Sequence, residues 1–223
     1  MLLLYFGVCT RKGSELTNMI NLTPQFSDMA RYLESSDILN FNYQVAELAH
    51  SITASSKDEV DFVKNAFEFV RDKISHSADI EGKTVTCTAS EVLMAKEGIC
   101  YAKSHLLAAI LRANSVPTGF CYQILVLNDE TAPHHILHGL NAVYIDKINK
   151  WIRLDARGNK PGVDAQFSLE QEQLAFRVRT EKGEKDIPII FAEPDKNVVH
   201  ALRSNQTIEA LWSNLPTELY HVL

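Results

Sequence analysis

The stretch Gly98-Ile99-Cys100-Tyr101-Ala102 enters a segment that reads as a helix from Cys100 to about Asn114, with apolar residues at Leu106, Leu107, Ile110 and Leu111. A cysteine at a helix start meets the positive end of the macrodipole and N–H groups that have no partner inside the helix. That setting favours thiolate over thiol and makes a nucleophile. Gly98 lets another backbone or a substrate come close. A lone cysteine is more often a small buried hydrophobe, so the weight of the reading rests on what lies downstream.

Downstream come His138-Gly139-Leu140-Asn141-Ala142-Val143-Tyr144-Ile145, a polar break, and Trp151-Ile152-Arg153-Leu154-Asp155. Both flanks read as strands of a hairpin. A tight turn at Asp146-Lys147 pairs Ile145 with Ile148 and sets His138 opposite Asp155. A four-residue turn pairs Ile145 with Lys150 and makes His138 and Asp155 diagonal neighbours. In either register the two side chains share a face, because strand side chains alternate with period two. An aspartate there holds the imidazole in one tautomer and stabilises the imidazolium. Cys, His and Asp in this arrangement follow the logic of an activated thiol.

These residues carry a resemblance. Gly-x-Cys-x-x-Ala opening a helix, the run Leu111-Arg112-Ala113-Asn114-Ser115-Val116-Pro117, a His on one strand and an Asp after a Trp on the next resemble the transglutaminase-like superfamily, from about Glu59 to Asp155. The resemblance implies Cys100 as nucleophile, His138 as general base and Asp155 as orienting acid. It implies a papain-like α+β fold, with the helix that bears the nucleophile packed on an antiparallel sheet and further helices N-terminal to it. It also implies a small stand-alone member of prokaryotic type. The family includes transamidases, peptidases, amidases acting on glycosylated asparagine, and members that have lost activity, so the resemblance narrows the chemistry more than the substrate.

Other polar residues are candidate contacts. Lys103 lies near the nucleophile, Gln123 and Asn141 sit on neighbouring strands, and Arg157 follows Asp155 closely enough to line the same sheet edge. Arg157 can grip a carboxylate with two hydrogen bonds or stand as a solvated loop charge. For the oxyanion, the Cys100 backbone N–H is one donor. Where the family often shows an aromatic residue, this chain has His76, which reads either as the second donor or as a surface histidine. Cys121, mid-strand and without a helix dipole, and Cys87, just before a helix cap, rank below Cys100 as nucleophiles. A zinc site drawn from Cys121, His134 and His138 is disfavoured, because His134 and His135 read as a loop after Pro133 and helical H-x-x-x-H geometry is not expected. No metal or other cofactor is expected.

The remaining pattern is that of an ordinary globular enzyme. The chain has 223 residues, 46% hydrophobic and 22% charged, enough for one sizeable core. Its net charge of −6 and the lack of a basic stripe argue against nucleic-acid binding. Four cysteines without CxxC spacing read as free thiols in a reducing, cytoplasmic setting. Met1–Val8 is apolar but lacks a basic flank and is too short to span a membrane, so neither a signal peptide nor membrane association is expected. Residues 1–18 read as a flexible extension or a short edge strand, and 19–223 as a single domain.

Expected helices are Asp28–Leu33, Phe41 to about Ala54, one opened by a capping box at Ser56-Lys57-Asp58-Glu59, and one opened by a box at Thr88-Ala89-Ser90-Glu91. A terminal helix is expected at Asn205–Asn214, and strands at Gly119–Leu127 and Ile187–Phe191. Phe167–Leu223 reads as a lid, a dimer surface or completion of the fold. The function expected is amide cleavage or exchange through a thioester on a peptide, protein or small amide. A small metal-independent amidase or peptidase is favoured over a calcium-regulated crosslinker. The alternatives are a catalytically inactive binding module on the same fold and, more weakly, a redox-sensing thiol protein.

Overall fold

The helix that begins at Cys100 is the centre of the molecule, and it is buried on every side. The computed structural model describes residues 20–128 and 130–220; the readings made for residues 1–18, Cys9 included, lie outside them. Among the described residues the chain order is β1 (Thr23–Pro24), α1 (Tyr43–Ala54), α2 (Glu59–Lys73), β2 (Ser75–His76), α3 (Ala89–Ala95), β3 (Glu97–Gly98), α4 (Cys100–Ala113), β4 (Thr118–Leu127), β5 (His134–Ile145), β6 (Lys150–Leu154), β7 (Lys185–Phe191), α5 (Lys196–Ser204) and α6 (Ile208–Ser213).

Every residue of α4 from Tyr101 to Arg112 is buried. Its polar members survive there because each finds a carbonyl, as buried polar groups must. Lys103 Nζ donates to Ile74 O and Arg71 O, capping the exposed carbonyls at the end of α2. The His105 ring meets Cys87 O at 2.7 Å. Arg112 donates to Thr118 O, Glu34 O and Ala192 O.

The main sheet has the order β1-β7-β4-β5-β6, with β4, β5 and β6 antiparallel and the short β1 parallel to β7. Both faces of β4 are covered, so it reads as a nearly unbroken apolar run. One face packs on α4 in a cluster that runs from Ile38 to Leu219 and takes in Phe120, Tyr122, Leu137 and Val143. The other carries Cys121, Leu140 and Ala142 against Tyr32, Ile190 and Ala192. This is the expected α+β architecture, the helix that bears Cys100 on an antiparallel sheet with helices ahead of it.

Several local expectations need correction. The helix after Ser56 is capped by Asp58, whose side chain accepts from Asp61 N, while Ser56 Oγ turns back to Ile52 O and closes the previous helix. A carboxylate two residues nearer the helix takes the cap position instead of the serine. The Thr88–Glu91 capping box forms as expected. His134 and His135 belong to β5 rather than to a loop, since β4 is long enough to pair with them at Leu127 and Val126. The terminal helix expected at Asn205–Asn214 forms as α6, capped by Thr207, and a further helix that was not expected, α5, precedes it from its own cap at Asp195.

Gly139 marks the closest approach of α4 to the sheet. A Cβ built there would meet Tyr101 Cδ1 at 2.7 Å. The Tyr101 ring cannot retreat freely, for it is 1% exposed and its hydroxyl donates to Leu137 O. Gly139→Ala is therefore expected to cost about 1–3 kcal/mol through overpacking, read as a lowered urea midpoint. An unchanged midpoint would mean that this contact does not set the helix–sheet spacing.

Candidate active site

The turn after β5 decides how His138 meets Asp155. Ile145 pairs with Lys150, which is the four-residue alternative, and Asn149 adopts the left-handed conformation that closes it. Asn141 then faces Leu154, so Asp155 falls just past the end of β6 and diagonal to His138. The two meet as a pair: His138 Nε2 lies 2.8 Å from Asp155 Oδ2, with the side chains 4% and 1% exposed. The Cys100 side chain lines the same cavity as the ring and is near enough to raise its affinity for a proton. Cys100, His138 and Asp155 are thus brought together.

The electrostatics of the pair are mutual. Burial lowers the affinity of His138 for a proton, but the Asp155 carboxylate and the Cys100 sulfur raise it more, and the net value is pushed up to about 10. Burial likewise penalises the Asp155 charge, yet the imidazolium and hydrogen bonds from Arg157 N and Ala175 N hold it below the usual carboxylate range. Phe176 stands edge-on to the imidazole, with ring centroids 5.1 Å apart. Sequence reasoning missed Ala175 and Phe176, which lie in an irregular segment some way along the chain from Cys100, His138 and Asp155.

Cys100 is half-buried and opens α4. Its N-cap, Ile99, offers no side chain to the first N–H groups, so those donors are not spent on a cap. Beside them runs a two-stranded parallel ladder in which His76 pairs with Gly98. His76 is 6% exposed, so the surface reading does not hold. Its Nδ1 is buried without a hydrogen-bond partner. Burial, then the nearby Arg157 charge, pushes its pKa well below the ordinary value, so the ring is neutral.

A cavity of about 20 Å³ opens at this point, lined chiefly by Cys100, His138, His76, Phe176, Trp212 and Leu215. Arg157 borders it too, but its guanidinium is already engaged with both oxygens of Asp79, which Lys160 also contacts at 2.6 Å. Lys103, Gln123 and Asn141 do not border it. Lys103 is held by the end of α2, and burial followed by the Arg157 charge brings its pKa down to about 7. Gln123 donates to Asp186, a partner it shares with Arg153. Asn141 bridges α4 and β4 through Ser104 O and Gly119 O. Among the described residues no group of three or more His, Cys, Asp or Glu could hold a metal ion. Cys121 pairs with Leu140 and His134 with Leu127, several rungs apart on the ladder. No helix among those residues is long and apolar enough to cross a membrane.

The raised pKa of His138 gives a signed prediction. The unfolded value is about 6.5, so the pair's contribution to stability is whole below that pH and is lost as pH climbs through about 10. Asp155→Asn should cost about 3 kcal/mol at pH 6, with a smaller gap to wild type at pH 9. NMR of the imidazole at pH 8 should show His138 charged in wild type and neutral in the variant. Equal stability gaps at the two pH values would rule out a charged pair.

Comparison with known proteins places this geometry. Residues 46–156 match the family model of the transglutaminase-like superfamily. No curated protein matches the chain. Among solved structures, one described as a putative cysteine protease from Cytophaga hutchinsonii matches with a TM-score of 0.48 and 20% identity, over 62% of this chain and 46% of that one. Another, described as a putative protease from Parabacteroides distasonis ATCC 8503, matches with a TM-score of 0.38 and 14% identity, over 56% of this chain and 26% of that one. The chain thus matches less than half the length of either. Through the stretch that runs from α1 to just past β6 and contains Cys100, His138 and Asp155, the chain belongs to the transglutaminase-like superfamily.

Proposed function

We propose that the protein is a cysteine-dependent acyl-transfer enzyme that opens an amide bond through a thioester, with Cys100 as nucleophile, His138 as acid and base, and Asp155 as the group that orients His138. The observation that carries this reading is the His138 ring, held by Asp155 at 2.8 Å and lining one cavity with Cys100. The sulfur adds to the amide carbonyl. His138, kept protonated by Asp155, delivers its proton to the departing nitrogen as the C–N bond breaks, leaving a thioester and a free amine. In the second half, neutral His138 takes a proton from water, or from an acceptor amine, as that group attacks the thioester. The carboxylic acid or new amide leaves, and Cys100 and His138 are restored.

The tetrahedral oxyanion needs donors fixed in advance. The uncapped N-terminus of α4 supplies backbone N–H groups, and the neutral, unpartnered ring of His76 supplies a side-chain donor. Water is the favoured acceptor, which makes the enzyme a small amidase or peptidase. Apolar walls on the cavity suit a peptide or protein amide better than a charged metabolite.

Iodoacetamide labelling followed site by site tests the nucleophile without a substrate. Cys100 should label far faster than Cys87 and Cys121, whose thiols burial pushes up, Cys121 to about 12. His138→Ala should slow Cys100 and leave the other two unchanged. With peptidyl aminomethylcoumarin amides as probes, His138→Ala should lower kcat by about 10²–10⁴-fold, and added hydroxylamine should divert the thioester to a hydroxamate. Labelling of Cys100 that ignores His138 would sink the enzyme reading in favour of a binding module.

The His76 role is tested separately. His76→Phe should lower kcat by about 10²-fold with little change in KM and should leave the iodoacetamide rate of Cys100 near wild type. A variant with unaltered kcat would remove His76 from the oxyanion site.

A further inference from the structure

β5 runs from His134 to Ile145, but β6 pairs with it only from Asn141 to Ile145. Ahead of Asn141, the side of β5 turned away from β4 has no strand of the sheet beside it among the described residues. Such an edge is a template for another extended chain. At Leu137, next to His138, its N–H donates instead to Pro216 O at 2.8 Å. Pro216 follows α6, and two other residues of the same segment, Trp212 and Leu215, wall the cavity at Cys100. The Trp212 ring stands 6.5 Å from that of His76. The protein's own chain therefore uses the main-chain donor beside the histidine and the apolar space beside the thiol. The remaining 20 Å³ has room for about one water molecule.

The segment is built to stay attached when it yields. Ile208 and Leu211 root α6 in the core. Past Pro216, Glu218 O accepts from Asn197 Nδ2 and Tyr220 N donates to Asp195 Oδ2, so the far end is tied to the start of α5. Between these anchors, Trp212 is only half-buried, and Ser213 and Asn214 are exposed.

We propose that Trp212–Pro216 occupies the cleft in place of the acyl donor. The donor is an extended peptide whose main-chain carbonyl takes over the Leu137 N–H and whose apolar side chain takes over the space of Trp212 and Leu215. The proposal rests on the reading of Cys100 as the nucleophile, and its test is arranged so that the two fail differently.

The probes are iodoacetamide, fluorescein-5-maleimide and acetyl-leucyl chloromethyl ketone, with modification of Cys100 mapped by mass spectrometry. In the ketone reaction the sulfur displaces chloride and forms a thioether. The ratio of maleimide to iodoacetamide rates at Cys100 should be low in wild type. It should rise about tenfold or more in Trp212→Ala and in Leu215→Ala, because removing the plug raises the fraction of open molecules. In the wild-type ketone adduct, hydrogen exchange should quicken at 211–214 while the Leu137 amide stays protected by its new partner. This measurement needs neither variant and decides the matter should both fail to unfold cooperatively.

A rate ratio unchanged in both folded variants overturns the proposal. So does an adduct in which 211–214 stay protected, or a ketone that leaves Cys100 unmodified in every form that iodoacetamide modifies. A Cys100 no faster than Cys87 and Cys121 with iodoacetamide defeats the nucleophile, while the rate ratio still reports on the plug.

Discussion

A charged imidazole held almost entirely out of water is the demand that the rest of this structure meets. Burying an ion is costly unless a counter-charge and further hydrogen bonds surround it. His138 has its counter-charge in Asp155 at 2.8 Å, and Asp155 in turn needs donors for its other lone pairs. They come from Arg157 N on the same turn and from Ala175 N, far along the chain. The irregular segment from residue 156 to about 179 is folded back over the sheet by this need. Long connections without regular structure are uncommon in compact domains and usually carry function. Here the segment brings the second backbone donor to the carboxylate and places Phe176 edge-on against the ring that the carboxylate holds.

The same economy explains where the polar residues of α4 go. A helix buried on every side has no solvent face on which to park a lysine or an arginine. Lys103 closes the end of α2, which leads directly into β2 and His76. Arg112 gathers three carbonyls from separate segments. Each charge thus fastens a neighbour to the central helix. The cluster of Arg157, Asp79 and Lys160 does the same between the turn after β2 and the loop after Asp155. Both sides of the cavity at Cys100 are in this way tied to one frame.

What could be read in advance was local or periodic. The hairpin was legible because alternation and a polar break define it, and period two puts His138 and Asp155 on one face whichever turn closes it. The helix start at Cys100 was legible from its apolar spacing and from Pro117 beyond its end. Contacts between segments were not legible. Lys103 sits one turn after Cys100, and nothing nearby announces that its ammonium belongs to the carbonyls of α2. Arg157 has the reach to hold a carboxylate from outside, but Asp79 is brought within its grasp by the fold. Ser56 matches a capping pattern, and Asp58 matches it better once the chain has chosen where the helix starts. Trp212 and Leu215 look like the apolar side of a terminal helix, and only tertiary structure sets them against the thiol.

The described cysteines provide an internal comparison of how position, not residue type, sets the surroundings of a thiol. Cys121 lies in mid-strand on the face that packs against Tyr32 and Ile190, and burial, against a smaller opposing pull from Arg153, keeps its thiol protonated. Cys87 precedes the cap of α3; burial again raises its pKa, against a smaller opposing pull from Arg203. Cys100 alone among them combines partial exposure, a helix N-terminus with no side-chain cap and a histidine on the same cavity wall. Reactivity needs access as well as activation. Access at Cys100 is narrow because the walls of its cavity are the protein's own aromatic and aliphatic side chains. A thiol activated by His138 but left open would meet oxidants and adventitious electrophiles as readily as substrate. The apolar wall at Trp212 and Leu215 limits that exposure, and under the proposed displacement the binding energy of a substrate is spent at the place where the reacting bond must be aligned.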